Sequence, residues 1–355
     1  MSDRSGCGLV ELALLESLDR LTAGRRPQHH VRSARALAGV DDRIGLGPKY
    51  AYQVLVDVAR PWTVAVRLVS GRGNFGDRVF PDPASAAYTD SRPSRVGRLV
   101  LDAEAGRLAP VPVGLMNGSV YRGGRQPPLE PFAVMEALRL LIANPRTPDS
   151  EILEMVGGPH SATGCEISGD VAGLLHGRPA EIRETGQISL TGVPVPPQTP
   201  ELPPDPSDKH IVTGGRGRDR PRFPAHVIIE SLPAEVAVSD AIEAIVSRSA
   251  YRHLRDYPEL AERTGLPIAD LTDESRRHGV SIQLRLSPGS DPAAVRERLR
   301  EVDGVGWSST WQFPAPVAAV VRSWMKRHRG EDLAASLAQL EQAIHEDRRQ
   351  DLSSS

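Results

Sequence analysis

Apolar residues return every three or four positions between 9 and 21 (LVELALLESLDRL), where Leu12, Leu15, Leu18 and Leu21 share one side. That period predicts an amphipathic helix. A turn at Ala23-Gly24 and the basic stretch RRPQHHVRSAR follow, leading into a second short helix expected over 31–38. Helix, turn and basic helix in that order suggest a loose helix-turn-helix, although a solvated charge run beside a core helix fits the same residues. Helical spacing continues over 50–58, whereas 63–69 (TVAVRLV) alternates like a strand. Residues 82–102 read as a loop followed by a helix broken at Pro93. Helices are expected over 132–143 and 148–155. Beyond them a strand from 226, a helix over 237–248, a strand over 280–286 and a helix over 292–302 alternate as a compact α/β module. One long helix is expected from 316, with Leu333, Leu337, Leu340 and Ile344 at spacings of 4, 3 and 4 as a two-heptad seam. A seam that short is marginal as a coiled coil on its own.

Between these elements, residues 192–224 contain PVPPQTPELPPDPSD and GGRGRDRPRFP, too poor in apolar residues to form a core, and read as a long insertion. The chain has 355 residues, enough for two or three modest domains. Aromatic content is only 4%, so its cores must be aliphatic. A net charge of −2 creates no global field, so a nucleic-acid partner has to meet a local basic patch. Cys7 and Cys165 stand far apart, which argues against a disulfide framework or zinc knuckle and points to a reducing cytoplasm. No apolar run approaches the roughly 18 residues of a membrane span, and the N-terminus lacks a signal-peptide pattern. No membrane association is expected.

The sharpest motif is Gly71-Arg72-Gly73-Asn74-Phe75-Gly76, which fits G-x-G-x-x-G. A dinucleotide fold needs a helix opening at the third glycine and an acidic residue about 20 positions on. Here Asp77-Arg78-Val79-Phe80-Pro81-Asp82-Pro83 follows, and its two prolines disfavour that helix.

The neighbours of the loop support another reading. LVSGRGNFGD (68–77) resembles the L-V-D-G-Q-G-N-F-G loop of the breakage-reunion, or A, subunits of bacterial type IIA DNA topoisomerases, the DNA gyrase and topoisomerase IV A subunits. Those proteins then present A-A-M-R-Y-T-E-x-R, and this chain has Ala84-Ser85-Ala86-Ala87-Tyr88-Thr89-Asp90-Ser91-Arg92 at the matching distance. Ser33-Ala34-Arg35 is similar to K-S-A-R, YQVLVDVARPW (52–62) to Y-D-A-L-V-R-M-A-Q-P-F, and GLMNGS (114–119) to L-L-V-N-G-S. Pro127-Pro128 matches the later P-P, and EMVGGPHSATG (154–164) resembles E-x-I-P-G-P-D-F-P-T-G. IADLTDESRRHGVSIQLRL (268–286) resembles I-S-D-L-R-D-E-S-D-R-E-G-V-R-I-V-I-E-L, and VRSWMKRHRGE (321–331) the start of the family's coiled-coil arm. The pieces keep the family's order over nearly the whole chain outside 192–224.

The resemblance implies an α+β fold in three parts. These are a winged-helix-type DNA-binding domain over 1–100 carrying the tyrosine loop, an α/β tower-like domain over 101–312 with the insertion, and the start of a long coiled-coil helix over 313–355. It implies Tyr88 as the nucleophile that attacks a DNA phosphodiester to give a 5′-phosphotyrosyl link, a phosphoryl transfer helped by positioning and positive charge. Arg25, Arg26, Arg32, Arg35, Arg72, Arg92 and Arg95 are then DNA-binding candidates, and Gly71, Gly73 and Gly76 shape the loop. Expected partners are double-stranded DNA, a B-type ATPase/TOPRIM subunit, and a second copy in a homodimer. No cofactor is expected in this chain, since Mg²⁺ and ATP belong to the B subunit in that family; no G-x-x-x-x-G-K-[ST] or D-x-D cluster occurs here.

Several departures bear on activity. Ala87 replaces the family's arginine, and Ile44-Gly45-Leu46-Gly47-Pro48-Lys49 replaces H-P-H-G-D-S. The segment 9–21 replaces a start with paired arginines, and the shortened loop before Pro127 carries Arg122 and Arg125 in place of a wedging isoleucine. The chain is expected to stop just into the coiled-coil arm, without the far dimer gate and the DNA-wrapping domain. Losing one preorganised cation costs roughly 10²–10³ in rate, and an arginine on the transferring group roughly 10³–10⁵. Two readings therefore stand open: a cleaving component resembling the A subunits, or an impaired paralogue acting as a DNA-binding or gyrase-interacting scaffold. An unrelated α/β enzyme is the third.

Overall fold

The computed structural model describes residues 4–26, 29–45, 47–121, 124–191, 226–248, 265–276, 279–287 and 289–353. The 192–224 insertion and Arg122 lie outside them. The chain divides into two compact units, Met1–Glu184 with Ser308–Ser355, and Thr185–Trp307. The stretch 101–312, expected as one domain, is thus shared between them.

The first unit opens with α1 (Leu9–Thr22), whose Leu14, Leu15 and Leu18 are fully buried. A two-residue strand β1 (Val31–Arg32) runs straight into α2 (Ser33–Ile44). Gly45, in the left-handed region at φ 64, ends α2 and returns its N–H to Asp41 O. α3 (Pro48–Ala59) then starts on a proline whose missing N–H is no loss at the first helical position. Helices stand at both expected places, 9–21 and 31–38, as α1 and α2, which pack against each other with β1 set between them in the chain. The basic stretch 25–35 carries β1 and leads into the first turn of α2.

A second correction concerns 63–69. Its backbone is satisfied by other partners: Leu68 N donates to Val58 O at 3.1 Å, while Val66 N and O bond the Asn117 side chain, each at 2.8 Å. Only Val69 joins a strand, β2 (Val69–Arg72), which runs on into the glycine loop. Likewise Pro93 breaks no helix. It closes strand β3 (Asp90–Pro93), and Ser94 caps α4 (Arg95–Glu104) by accepting from Gly97 N. β3 lies between β1 and β2, antiparallel to both.

The first unit continues through α5 (Val113–Asn117), β4 (Ser119–Tyr121), β5 (Gly124–Gln126), α6 (Pro131–Ala143), α7 (Asp149–Val156), β6 (Glu166–Gly169), α8 (Val171–Leu175) and β7 (Ala180–Thr185). In the second unit, β8 (Ile188–Thr191), β9 (His226–Ile229), β10 (Ile268–Asp273) and β11 (Ile282–Leu286) form an antiparallel sheet in the order β10-β11-β9-β8. α9 (Val238–Ser247) and α10 (Pro292–Arg300) share its core through Ile245 and Leu299. β12 (Gly306–Trp311) returns the chain to the first unit, in a five-stranded sheet ordered β4-β5-β12-β7-β6 whose β12–β5 pairing is parallel.

The expected long helix from 316 is two helices, α11 (Val317–Arg327) and α12 (Leu333–Ser353). Gly330, at φ 92, turns the chain between them, and Asp332 accepts from Ala335 N to start α12. Leu333, Leu337, Leu340 and Ile344 are all buried in the core that holds α4 and α6, so the seam is covered by the chain itself. The fold class is α+β. Among the described residues no helix is long and apolar enough to cross a membrane.

Candidate functional site: the tyrosine turn

Tyr88 sits two residues before β3, at the end of a turn closed by Tyr88 N donating to Ser85 O at 2.8 Å. Its side chain is 76% exposed, unusual for an aromatic residue. The backbone beneath it is tightly held. The first amides of α2 reach the carbonyls around it, Ser33 N to Thr89 O at 2.9 Å and Ala34 N to Ala86 O at 3.1 Å. The hydroxyls of Ser33, Thr89 and Ser91 form a fully buried chain at 2.8 and 2.9 Å. Tyr52, on α3, adds its hydroxyl to Ala84 O and lies 3.2 Å from Thr89 Oγ1. The nucleophile candidate thus projects from a turn whose main chain is held by two elements, α2 and α3.

The glycine loop closes the other side. Gly73, at φ 101, lies where a Cβ would stand 3.1 Å from Tyr88 O, so the loop abuts the tyrosine's own backbone. Gly76, at φ 83, has no room for a side chain between Pro81 O and the Arg60 guanidinium. Arg60 is 9% exposed. It donates from Nε to Phe75 O at 2.8 Å and from Nη2 to Pro81 O, stitching the loop closed. Burial holds its guanidinium below the ordinary arginine range, opposed by the charges of Asp57, Tyr52 and Asp82. Asn74 and Asp77 complete the loop by accepting from the amides of Gly76, Val79 and Phe80 at 2.7–2.9 Å. Gly76 opens no helix, so the geometry is not that of a dinucleotide site. Gly71 lies in β2, paired with Ser91.

The arginines proposed for DNA fall into three groups. Arg32 and Arg72 both stand opposite Asp90 in the ladder, one from each side, at the end of the sheet next to Tyr88. Arg32 Nη1 pairs with Asp90 Oδ1 at 3.2 Å, while Arg72 is exposed. Arg35, on the first turn of α2, is exposed as well, and Arg25 and Arg26 are exposed on the segment after α1. Arg25 Nη1 lies 3.0 Å from His29 Nε2. Arg92 and Arg95 differ. Arg92 is 6% exposed, and Arg95 is engaged by Glu346 and Asp347 of α12. Sequence reasoning missed Arg60, Tyr52 and the Ser33–Thr89–Ser91 hydroxyls. An arginine ending an apolar helix in VLVDVARPW was the one visible signal.

No family model matches the chain. It is 25% identical over 317 residues to the DNA gyrase A subunit of Kosmotoga olearia, covering 82% of this chain and 33% of that protein. This chain is gyrase-A-like, a divergent sequence similar to the DNA gyrase A subunits. It is also 27% identical over 277 residues to the chloroplastic/mitochondrial DNA gyrase A subunit of Nicotiana benthamiana, and 27% over 276 residues to the DNA gyrase A subunit of Synechocystis sp.. Each of these matches covers 71% of this chain but only 26% and 28% of the relative. The gyrase-A-like chain therefore spans about a third or less of the proteins it matches.

Proposed function

We propose that the chain is a DNA-binding component of a type IIA topoisomerase, similar to the A subunits and acting in the cytoplasm. In this reading α2, α3 and the β1-β3-β2 sheet make a winged-helix-like DNA-binding domain, and the second unit belongs to a tower-like domain. Tyr88 breaks and rejoins DNA through a 5′-phosphotyrosyl intermediate. A B-type ATPase/TOPRIM subunit supplies ATP hydrolysis and Mg²⁺, and a second copy of the chain completes a homodimer. The observation that carries the proposal is an exposed tyrosine, Tyr88, held on a rigid turn beside the backbone of Arg32 and Arg72 in a gyrase-A-like chain. Attack by a tyrosine, whose ordinary pKa is about 10, needs cations that lower the hydroxyl pKa and stabilise the transferring phosphoryl group.

Three observations favour a second reading, a cleavage-impaired paralogue that serves as a scaffold by binding DNA or gyrase. Ala87 precedes the tyrosine, Arg32 is neutralised by Asp90, and Arg92 is buried. The deciding experiment incubates the chain with a bacterial gyrase B subunit, Mg²⁺ and plasmid, denatures, and looks for protein on a cut 5′ end. An adduct lost in Tyr88→Phe establishes cleavage, and an adduct that survives it refutes the role of Tyr88. No adduct from the parent, but one from Ala87→Arg, identifies the disarmed form.

A further inference from the structure

The last turns of α12 rest on the start of α4. Arg95 Nε lies 2.8 Å from Glu346 Oε2, and its Nη1 lies 3.2 Å from Asp347 Oδ1 and 3.0 Å from Gln350 Oε1. Asp347, itself 8% exposed, also accepts from Val96 N at 3.5 Å. A single carboxylate thus meets a guanidinium and a first-turn amide, the donor set with which helix N-termini hold phosphate. A second observation points the same way. Arg92, on the strand leading into α4, is 6% exposed and its Nε has no hydrogen-bond partner among the described residues. Its guanidinium is held below the ordinary range by burial and by repulsion from Arg98, Arg95 and Arg67, with Asp347 acting against that repulsion. So concentrated a set of arginines is a costly way to build a core and an effective way to hold an anion.

We propose that the α4 N-terminus with Arg95 and Arg92 is a site for a DNA backbone phosphate, and that Glu346 and Asp347 occupy it as an internal substitute, making the end of α12 a competitor of DNA. This rests on the reading of the chain as DNA-binding. The competitor is built to leave. The apolar anchor of α12 ends at Ile344, and among residues 345–350 only Asp347 is buried. Beyond the ion pairs, His345 and Arg348 hold this end through the Phe132 ring, at 5.0 and 5.1 Å. Lifting the last turns therefore exposes none of the seam, and partly exposed ion pairs exchange readily for phosphate contacts.

The test is anisotropy of a short labelled duplex titrated with the full chain at about 50 and about 200 mM salt. The double variant E346Q/D347N binds about tenfold more tightly at the lower salt, with a salt slope steeper by about one to two, as freed arginines take up phosphates. Arg95→Gln removes that gain in the double variant, which separates the site from the general effect of two fewer negative charges. A chain stopped after Ile344 shows the same gain, which guards against a folding defect in D347N. Equal affinity and slope in parent and double variant overturn the competition while leaving DNA binding intact. An equal Arg95→Gln effect in both backgrounds overturns it as well. Absence of binding by every chain overturns both this inference and the DNA-binding reading.

Discussion

Replacing Arg60 by methionine tests whether the tyrosine turn depends on one buried side chain. Arg60 donates to Phe75 O at 2.8 Å and to Pro81 O, and its guanidinium lies 5.6 Å from the Trp62 ring centre. Methionine fills much of the stem's volume but removes both donors, leaving two loop carbonyls without them. Hydrogen bonds from a charged donor contribute about 1.5–3 kcal/mol each, so two give about 3–6 kcal/mol. Removing a guanidinium that burial already disfavours returns part of this, and the expected net loss is about 2–4 kcal/mol. Arg60→Lys keeps the charge but cannot fork between the two carbonyls, so it falls about halfway. Urea unfolding at unchanged m-value measures the loss, and hydrogen exchange at the amides of Gly76, Ala84 and Tyr88 locates it. Those amides close the loop and the turn, so their protection drops beyond what the global change explains. A loss below about 1 kcal/mol with unchanged exchange there refutes the argument.

Two further outcomes follow from burial. Leu340, on α12, is fully buried, so Leu340→Ala costs about 2–5 kcal/mol and leaves the sedimentation coefficient unchanged. A small loss accompanied by a change in oligomeric state would show that the seam serves a partner instead. His328 is 6% exposed, packs 4.8 Å from the Trp324 ring, and is held below its ordinary pKa by burial, partly opposed by Glu331. The unfolded chain therefore takes up the proton first. Stability is level above about pH 6.5 and falls as pH drops from there toward the folded-state pKa. His328→Gln flattens that slope in urea titrations, and an unchanged slope rules the residue out.

Local sequence signals marked most helices well, because their ends carry their own chemistry. Pro48 and Pro131 open α3 and α6 at the first helical position, and Gly45 closes α2. The misread segments are those whose partners lie far along the chain. Residues 63–69 alternate like a strand, yet Asn117 takes both the N–H and the carbonyl of Val66. The Leu333–Ile344 seam has coiled-coil spacing, but period alone cannot say whether another chain or α4 and α6 will cover it. At the site, Tyr88 and the glycine loop were legible from local motif. Arg60, Tyr52 and the buried hydroxyls were not, since each acts on a partner 15 to 58 residues away.

The same contrast separates the shape of the site from its charge. Shape here rests on backbone contacts that tolerate few alternatives: Gly73 against the Tyr88 carbonyl, Gly76 between Pro81 and Arg60, and the α2 amides on Ala86 and Thr89. Charge rests on side chains that a single nearby carboxylate can neutralise. Asp90 already does so for Arg32, and Glu346 with Asp347 for Arg95. A chain can therefore keep the tyrosine turn while changing what the turn can do. Under the proposed phosphoryl-transfer role, a disarmed turn then needs added positive charge and no new loop geometry. Ala87→Arg supplies that charge one residue from the hydroxyl, and it leaves untouched every hydrogen bond that fixes the turn, because Ala87 contributes only its exposed amide to them.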